Sequence, residues 1–401
     1  MLELKDFEAA ADRLKNVIHN IPLSTSCTFS AMTGAEVYLK YENQQKTGSF
    51  KVRGAYNKIM KRFAEGDLHA VVASSAGNHA QGVAFAATAA GVKSTIVMPR
   101  SAPIAKVSAT QGYGAEVVLA GNIYDEAYAK ACEICEETGA EFIHPFDDED
   151  VMAGQGTIAL EILRDLPGVD MIFVPAGGGG LISGVAACAK QINPRIQIIG
   201  VQAEGADAIV RSFRSGKHCS TDTVNTIADG IAVMNPGEKT VALIQENVDE
   251  MVTVSDDEIA SAILLLLERE KQVVEPAGAC SLAAVLNHKI DVADKRVVCV
   301  LSGGNIDVSF IHKVVEKGLV TRGRNMKFKT PMLDVPGSLE KIAGILHEVN
   351  ANIIEVRYDR ISADLNLNET IIHMGVEVSS KEHGEAMIRE LRANGYDVTL
   401  E

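Results

Sequence analysis

Apolar residues recur along this chain in two rhythms. Short unbroken runs, Val71-Val72-Ala73, Met171-Ile172-Phe173-Val174 and Val297-Val298-Cys299-Val300-Leu301, each stop at small polar residues or a Pro-Ala-Gly turn. Strands covered on both faces of a parallel sheet read this way. The stretches Ala80 to Ala90, Asp125 to Thr138 and Leu181 to Gln191 instead read as helices. Ser94 to Pro99, Ala115 to Leu119 and Ile196 to Val201 predict further strands, with a helix over Ala105 to Gln111 between the first two. Ser255-Asp256-Asp257-Glu258 is a capping-box start to an apolar helix over Ile259 to Arg269. Alternating strand and helix predicts an α/β fold, with a small lobe roughly from Tyr56 to Phe146 that closes on a larger one around a substrate.

Past Thr321-Arg322-Gly323-Arg324-Asn325, a short polar and basic stretch, the rhythm changes. Met326 to Asp334 alternates as a strand, Pro336-Gly337-Ser338 turns the chain, and Leu339 to Val349 repeats apolar residues at helical spacing. Strands over Ile353 to Tyr358 and Glu369 to Val378, a helix over Lys381 to Asn394 and a last strand at Val398 to Leu400 complete a βαββαβ order, which is ferredoxin-like. The expected domains are therefore residues 1–322 and 326–401.

Composition excludes several classes. A chain of 401 residues that is 47% hydrophobic can bury more than one core. A net charge of −15, without basic clusters, argues against nucleic acid or an anionic membrane as a partner. No apolar stretch reaches the ~18 residues of a membrane span, and Met1 to Lys5 has no signal-peptide core, so a cytoplasmic location is expected. Cys27, Cys132, Cys135, Cys188, Cys219, Cys280 and Cys299 form no even disulfide framework and read as reduced thiols. Cys132 and Cys135 share a helical pattern with no second pair nearby to complete a zinc site. Asp147 and Asp148, after His144-Pro145-Phe146, read as caps of the next helix.

The candidate chemistry sits just past strand ends, where open α/β sheets place their ligands. In Thr47-Gly48-Ser49-Phe50-Lys51-Val52-Arg53-Gly54, Lys51 follows an aromatic ring at the start of a helical pattern. Such a lysine can form an imine with an aldehyde cofactor when its surroundings disfavour its charge; the bland alternative is a solvated lysine. Gly177, Gly178, Gly179 and Gly180, between an apolar strand and the helix from Leu181, form an anion cradle. A flexible linker would not be pinned in that way. Ser75, Ala76, Gly77, Asn78 and His79 form another strand-to-helix turn, suited to a carboxylate through backbone N–H groups, with Asn78 available for a ring hydroxyl. His79 there reads as a capping or packing residue. Ser302-Gly303-Gly304-Asn305 ends the strand from Val297. Glu275 opens a helix, where the dipole alone would favour an acid.

Taken in order, TGSFKVRGA, SSAGNHAQG, PAGGGGLISG, TIADGIAV and LSGGN resemble the pyridoxal-phosphate enzymes of the tryptophan-synthase-β type (fold type II), and within them the threonine and serine dehydratases. The resemblance covers about residues 5 to 320. It implies pyridoxal 5'-phosphate as cofactor and Lys51 as both the imine lysine and the base for the substrate α-proton. It also implies Phe50 packed on the ring, Asn78 at the 3-hydroxyl, Gly177 to Gly180 and the Leu181 amide at the phosphate, Ser302 at the ring nitrogen, and Glu275 at a position near the cofactor or a cation. The Ser75 to His79 turn would take the substrate carboxylate. The implied reaction is α,β-elimination from L-threonine to 2-oxobutanoate and ammonia, and from L-serine to pyruvate. Serine dehydratase is the alternative within the family, and a synthase running β- or γ-replacement is disfavoured by the Asn78 and Asp229 motifs.

Two departures matter. Serine racemases that resemble this chain carry a proton-donating serine before the Gly-Asn-His triplet, where Ala76 stands here, so racemisation is expected to be poor. The cation-binding glutamate of those racemases aligns with Gln202, or with Glu204 if the register slips, and the metal is left open. The tail resembles ACT domains, which bind amino acids and pair across subunits. Its Asp334-Val335-Pro336-Gly337-Ser338-Leu339 turn is the candidate effector loop. The resemblance implies a homodimer or homotetramer, with an amino-acid substrate and an amino-acid effector. A dimerisation module without a ligand, and a sensor with a vestigial catalytic lobe, are the alternatives.

Overall fold

The computed structural model describes residues 2–66, 68–361 and 366–401, which divide into two compact units, Met1–Asp307 and Val308–Glu401. The first unit holds two sheets. The larger runs Ser24–Thr25, Glu36–Tyr41, Arg296–Leu301, Met171–Pro175, Gln197–Ala203, Glu250–Val254 across its width. Only the first pairing is antiparallel. The smaller sheet is parallel throughout, in the order Glu116–Leu119, Lys93–Met98, Ala70–Ser74, Glu141–Phe142. Every strand expected in this unit forms, with ends displaced by one or two residues.

Met171–Pro175 is buried at each position, as a strand covered on both faces must be. Its side chains join Phe7, Met152, Ile158 and Ile182 in the core of the larger lobe. A second core, around Ile59, Val71, Ala84 and Ile96, lies against the smaller sheet. The capping box expected at Ser255 forms: its Oγ accepts from the Glu258 amide at 3.2 Å, and Glu258 Oε2 accepts from the Ser255 amide at 2.7 Å. The helix it starts differs from expectation. Asp256–Leu265 is α-helical, and Leu266–Glu270 widens into one π-helical turn ended by Lys271 at φ 58°.

Helix Lys51–Glu65 is anchored by a buried ionic network that periodicity does not reveal. Arg53 donates to both Glu42 oxygens, at 2.8 and 2.7 Å, and to both Glu161 oxygens, at 2.7 and 2.9 Å. Lys40 Nζ reaches Glu161 at 2.6 Å, and Arg53, Glu42 and Lys40 have fully buried side chains. With every charge partnered, the network tolerates burial that a lone charge would not.

In the second unit, helix Val308–Thr321 precedes a four-stranded antiparallel sheet, so the expected boundary at residues 321–325 falls after this helix and the compact units divide before it. The strands lie in the order Asn352–Asp359, Glu369–Glu377, Asn325–Leu333, Thr399–Leu400. Helices Ser338–Glu348 and Lys381–Ala393 complete the βαββαβ arrangement, and Phe328, Ile372 and Met374 pack with Leu346, Met387 and Leu391.

Candidate active site

Several chain segments meet near the carboxyl ends of the strands. Ser49 bridges to Gly303, the Phe50 amide donates to Ser302 O at 3.1 Å, and the Gly304 amide to Gly48 O at 2.9 Å. This pairing lays the start of helix Lys51–Glu65 against the end of strand Arg296–Leu301. Lys51 is the first helical residue; its Nζ stands 5.2 Å from the Phe50 ring centroid and donates to Pro145 O at 2.8 Å. Burial lowers its pKa to about 8 against an opposing pull from Glu275, so the amine is far easier to deprotonate than an exposed lysine.

The segment carrying Pro145 also shapes the glycine turn. A Cβ on Gly178 would stand 2.3 Å from the Phe146 ring, and one on Gly180 would stand 2.8 Å from Phe146 Cα. Gly179 has φ +98°, the left-handed region where a side chain is strained. The Gly178 carbonyl accepts from Thr240 Oγ1 at 2.7 Å and from the Gly237 amide at 3.3 Å. Helix Gly180–Ile192 starts at this turn with no side-chain cap, so its first N–H groups and dipole are free for an anion.

Asp148 Oδ1 caps helix Glu149–Asp165 as expected, accepting from the Asp150 and Val151 amides. Asp147 does not cap that helix. Its Oδ1 accepts from the Thr240 amide at 3.1 Å, in the first turn of helix Glu238–Asn247. Pattern and motif alone do not single out Thr240, Phe146 or Arg53 as parts of the site. Only Arg53 leaves a signal in the sequence, as a charged residue two positions after Lys51 in an otherwise small and apolar motif.

At the other strand-to-helix turn, Asn78 is the first residue of helix Asn78–Ala90. Its Nδ2 donates to Glu275 Oε1 at 2.9 Å and Oε2 at 3.1 Å, while its Oδ1 is buried with no partner. Ser75 Oγ accepts from the Gly77 amide at 3.2 Å, and Ala76 packs in part against the smaller lobe's core. His79 is buried, with Nε2 2.8 Å from Ile143 O, and burial followed by the nearby Lys51 pushes its pKa down to about 3. It is therefore a neutral packing residue. Glu275 occupies the cap position of helix Pro276–Leu286 but makes no capping bond, its carboxylate being turned to Asn78.

Gln202 is buried, its Oε1 accepting from the Val210 amide at 2.9 Å, and Glu204 lies exposed in a single 3-10 turn, Glu204–Ala206. Among the described residues no group of three or more His, Cys, Asp or Glu is placed to hold a metal ion, all seven cysteines are free, and no helix is long and apolar enough to cross a membrane. In the second unit, Asp334 pairs with Arg360 at 2.8 Å, and Gly337, at φ +89°, caps helix Ser338–Glu348.

Residues 14–303 match the model of the pyridoxal-phosphate dependent enzyme family. The chain is 50% identical over 400 residues to the L-threonine ammonia-lyase of Thermotoga maritima, covering 100% of both chains. Among solved structures it resembles the T.th. threonine deaminase, with 41% identity, a TM-score of 0.73, and coverage of 76% of this chain and 99% of that one. It also resembles maize serine racemase, with 37% identity, a TM-score of 0.74, and coverage of 79% and 98%. The strand-end lysine, the uncapped glycine turn and these likenesses agree: the chain belongs to the pyridoxal-phosphate-dependent enzymes.

Proposed function

We propose that this enzyme eliminates water from L-threonine and, as water re-enters to release ammonia, gives 2-oxobutanoate, and that it acts likewise on L-serine to give pyruvate. The observation that carries the reading is a lysine amine of lowered pKa, Lys51, bonded to Pro145 O in the segment whose next residue, Phe146, shapes the glycine turn. Likeness along the full chain to a protein named for threonine selects the substrate.

The residues fit pyridoxal phosphate on structural grounds. A side chain at Gly178 or Gly180 would have no room beside Phe146, the helix at Gly180 has no capping side chain, and Asn78 Oδ1 is a buried acceptor without a donor. Gly177, Gly178, Gly179, Gly180 and the Leu181 amide would hold the phosphate, Asn78 the ring hydroxyl, Phe50 a ring face and Ser302 the ring nitrogen. Bound there, the cofactor supplies an aldehyde carbon for the substrate amine and a ring that accepts electron density as the α-proton leaves. The Ser302 hydroxyl is a neutral partner that does not stabilise a protonated ring nitrogen as a carboxylate would, which suits brief charge storage and elimination. The Ser75 to His79 turn orients the substrate carboxylate through backbone N–H groups. Lys51, deprotonated far more readily than an exposed lysine at its lowered pKa, takes the α-proton. Departure of the β-hydroxyl as water leaves an unsaturated amine, which water converts to the oxo acid and ammonia.

We assign the catalytic domain to about residues 1–322 and a regulatory, ACT-like domain to 326–401, with Asp334 to Leu339 as its amino-acid loop. A cytoplasmic homodimer or homotetramer is the assembly we propose. The test is oxo-acid production from threonine, serine and allo-threonine, each with and without isoleucine, valine or nucleotides, with Lys51→Ala as control. Threonine turnover that Lys51→Ala abolishes supports the reading. No oxo acid from any substrate, or turnover retained by a folded Lys51→Ala protein, overturns it.

A further inference from the structure

Glu275 is almost fully buried, at 8% exposure, yet it neither caps its helix nor forms a salt bridge. Its carboxylate accepts both contacts from Asn78 Nδ2 and a further hydrogen bond from the Asn305 backbone. Gly303 lies close behind the pair: a Cβ there would be 2.3 Å from Glu275 Oε1 and 3.2 Å from Asn78 Nδ2. Gly230 approaches from another side, 3.7 Å from Oε1 by the same measure. The charged groups that act on the carboxylate are Lys51 and Lys106. The pair is thus closed on most sides, and one polar atom within it, Asn78 Oδ1, is buried without a donor.

An amide has a donating end and an accepting end, and an ionised carboxylate can only accept. We propose that Glu275 is a positioning residue that decides which end of the Asn78 amide meets the cofactor's ring hydroxyl. This rests on the reading that Asn78 faces that hydroxyl. With the carboxylate ionised, Nδ2 is held on Glu275 and Oδ1 is presented, so the hydroxyl keeps its proton by donating it. With the carboxyl protonated, Glu275 donates to Oδ1, the amide turns, and Nδ2 donates to the ring oxygen, which favours its deprotonated form. One proton taken up at Glu275 is then matched by one released at the ring oxygen, both exchanged with solvent. Burial is the largest influence on the carboxyl and raises its pKa to about 7, so both states are populated near neutral pH.

The experiment is the absorption spectrum of the holoenzyme across pH, for the wild type, Glu275→Gln, Glu275→Asp and Asn78→Ala. In the wild type the balance between the cofactor's absorbing forms should change with a midpoint near 7. Glu275→Gln, which cannot ionise, should lose that transition, and Glu275→Asp should restore one at a displaced midpoint. A wild type without the transition, or Glu275→Gln retaining it while Asn78→Ala loses it, overturns the role of Glu275. Asn78→Ala with a wild-type spectrum at every pH overturns the underlying placement of Asn78 instead. Should Glu275→Gln fail to fold, Gly303→Ala sets a methyl group against the same carboxylate. It must then displace the midpoint, and an unmoved midpoint overturns the proposal.

Discussion

Lys51 owes its lowered pKa to position: it begins a helix, beside an aromatic face, where burial is hostile to its charge. The neutral amine is the form that attacks an aldehyde, and its pKa is lowered from 10.5 to about 8. Uptake of pyridoxal phosphate by the apoprotein should therefore accelerate as pH rises and level off above about 8, well below an ordinary lysine. Stopped-flow absorbance checks this, and a rate still climbing steeply at pH 10 would contradict it. On the proposed reading, Ala76 lies on the other face of the reacting carbon. Lys51 reaches one face only, so inversion needs a second acid that a methyl group cannot supply. Ala76→Ser should raise D-serine formation from L-serine above the parent, as read by chiral chromatography. Ser302 and the glycines are legible because each follows an apolar run at a strand end, and Lys51 because it follows an aromatic ring at the start of a helical pattern. Glu275 was not resolved, because a helix-start acid and an amide-holding acid look alike in sequence. The difference lies in Asn78, far away in the chain.

At the scale of elements, the glycine turn is held by its neighbours. Phe146 leaves no room above Gly178, so Gly178→Ala must move an aromatic ring that belongs to the same segment as the carbonyl holding Lys51. Overpacking of this kind costs about 1–3 kcal/mol. We expect a lowered melting temperature and a cofactor affinity weakened at least tenfold, measured by fluorescence titration. The anchor of helix Lys51–Glu65 is the Arg53 network. Arg53→Met would leave Glu42 and Glu161 facing each other around a neutral side chain, with Lys40 the remaining partner of Glu161. Loss of about 3–5 kcal/mol is expected from denaturant unfolding. Strand and helix positions were readable from apolar rhythm, but this network was not. Its members are contributed by separate segments, and charge in a sequence normally signals a solvated surface. The π-helical turn at Leu266–Glu270 was likewise invisible, since its residues carry the apolar spacing of an ordinary helix end.

For the whole molecule, the change of rhythm past Thr321 correctly announced an antiparallel α/β tail, while helix Val308–Thr321 shows how a periodic segment gives no sign of which unit it packs with. A chain ending at Arg324 should keep threonine elimination within about threefold and lose any response to amino-acid effectors, by steady-state oxo-acid assay; loss of all turnover would assign the tail a structural part. The larger sheet has a consequence for synthesis. Strand Glu36–Tyr41 is made early, yet one of its partners is Arg296–Leu301, near the end of the first unit, and that strand also pairs with Met171–Pro175. During translation the early strand emerges long before this neighbour exists, and its apolar residues Val37 and Leu39 have no completed sheet to enter. Closure of the sheet must wait for nearly the whole unit, which makes folding slow and the nascent chain a natural client for a holding chaperone.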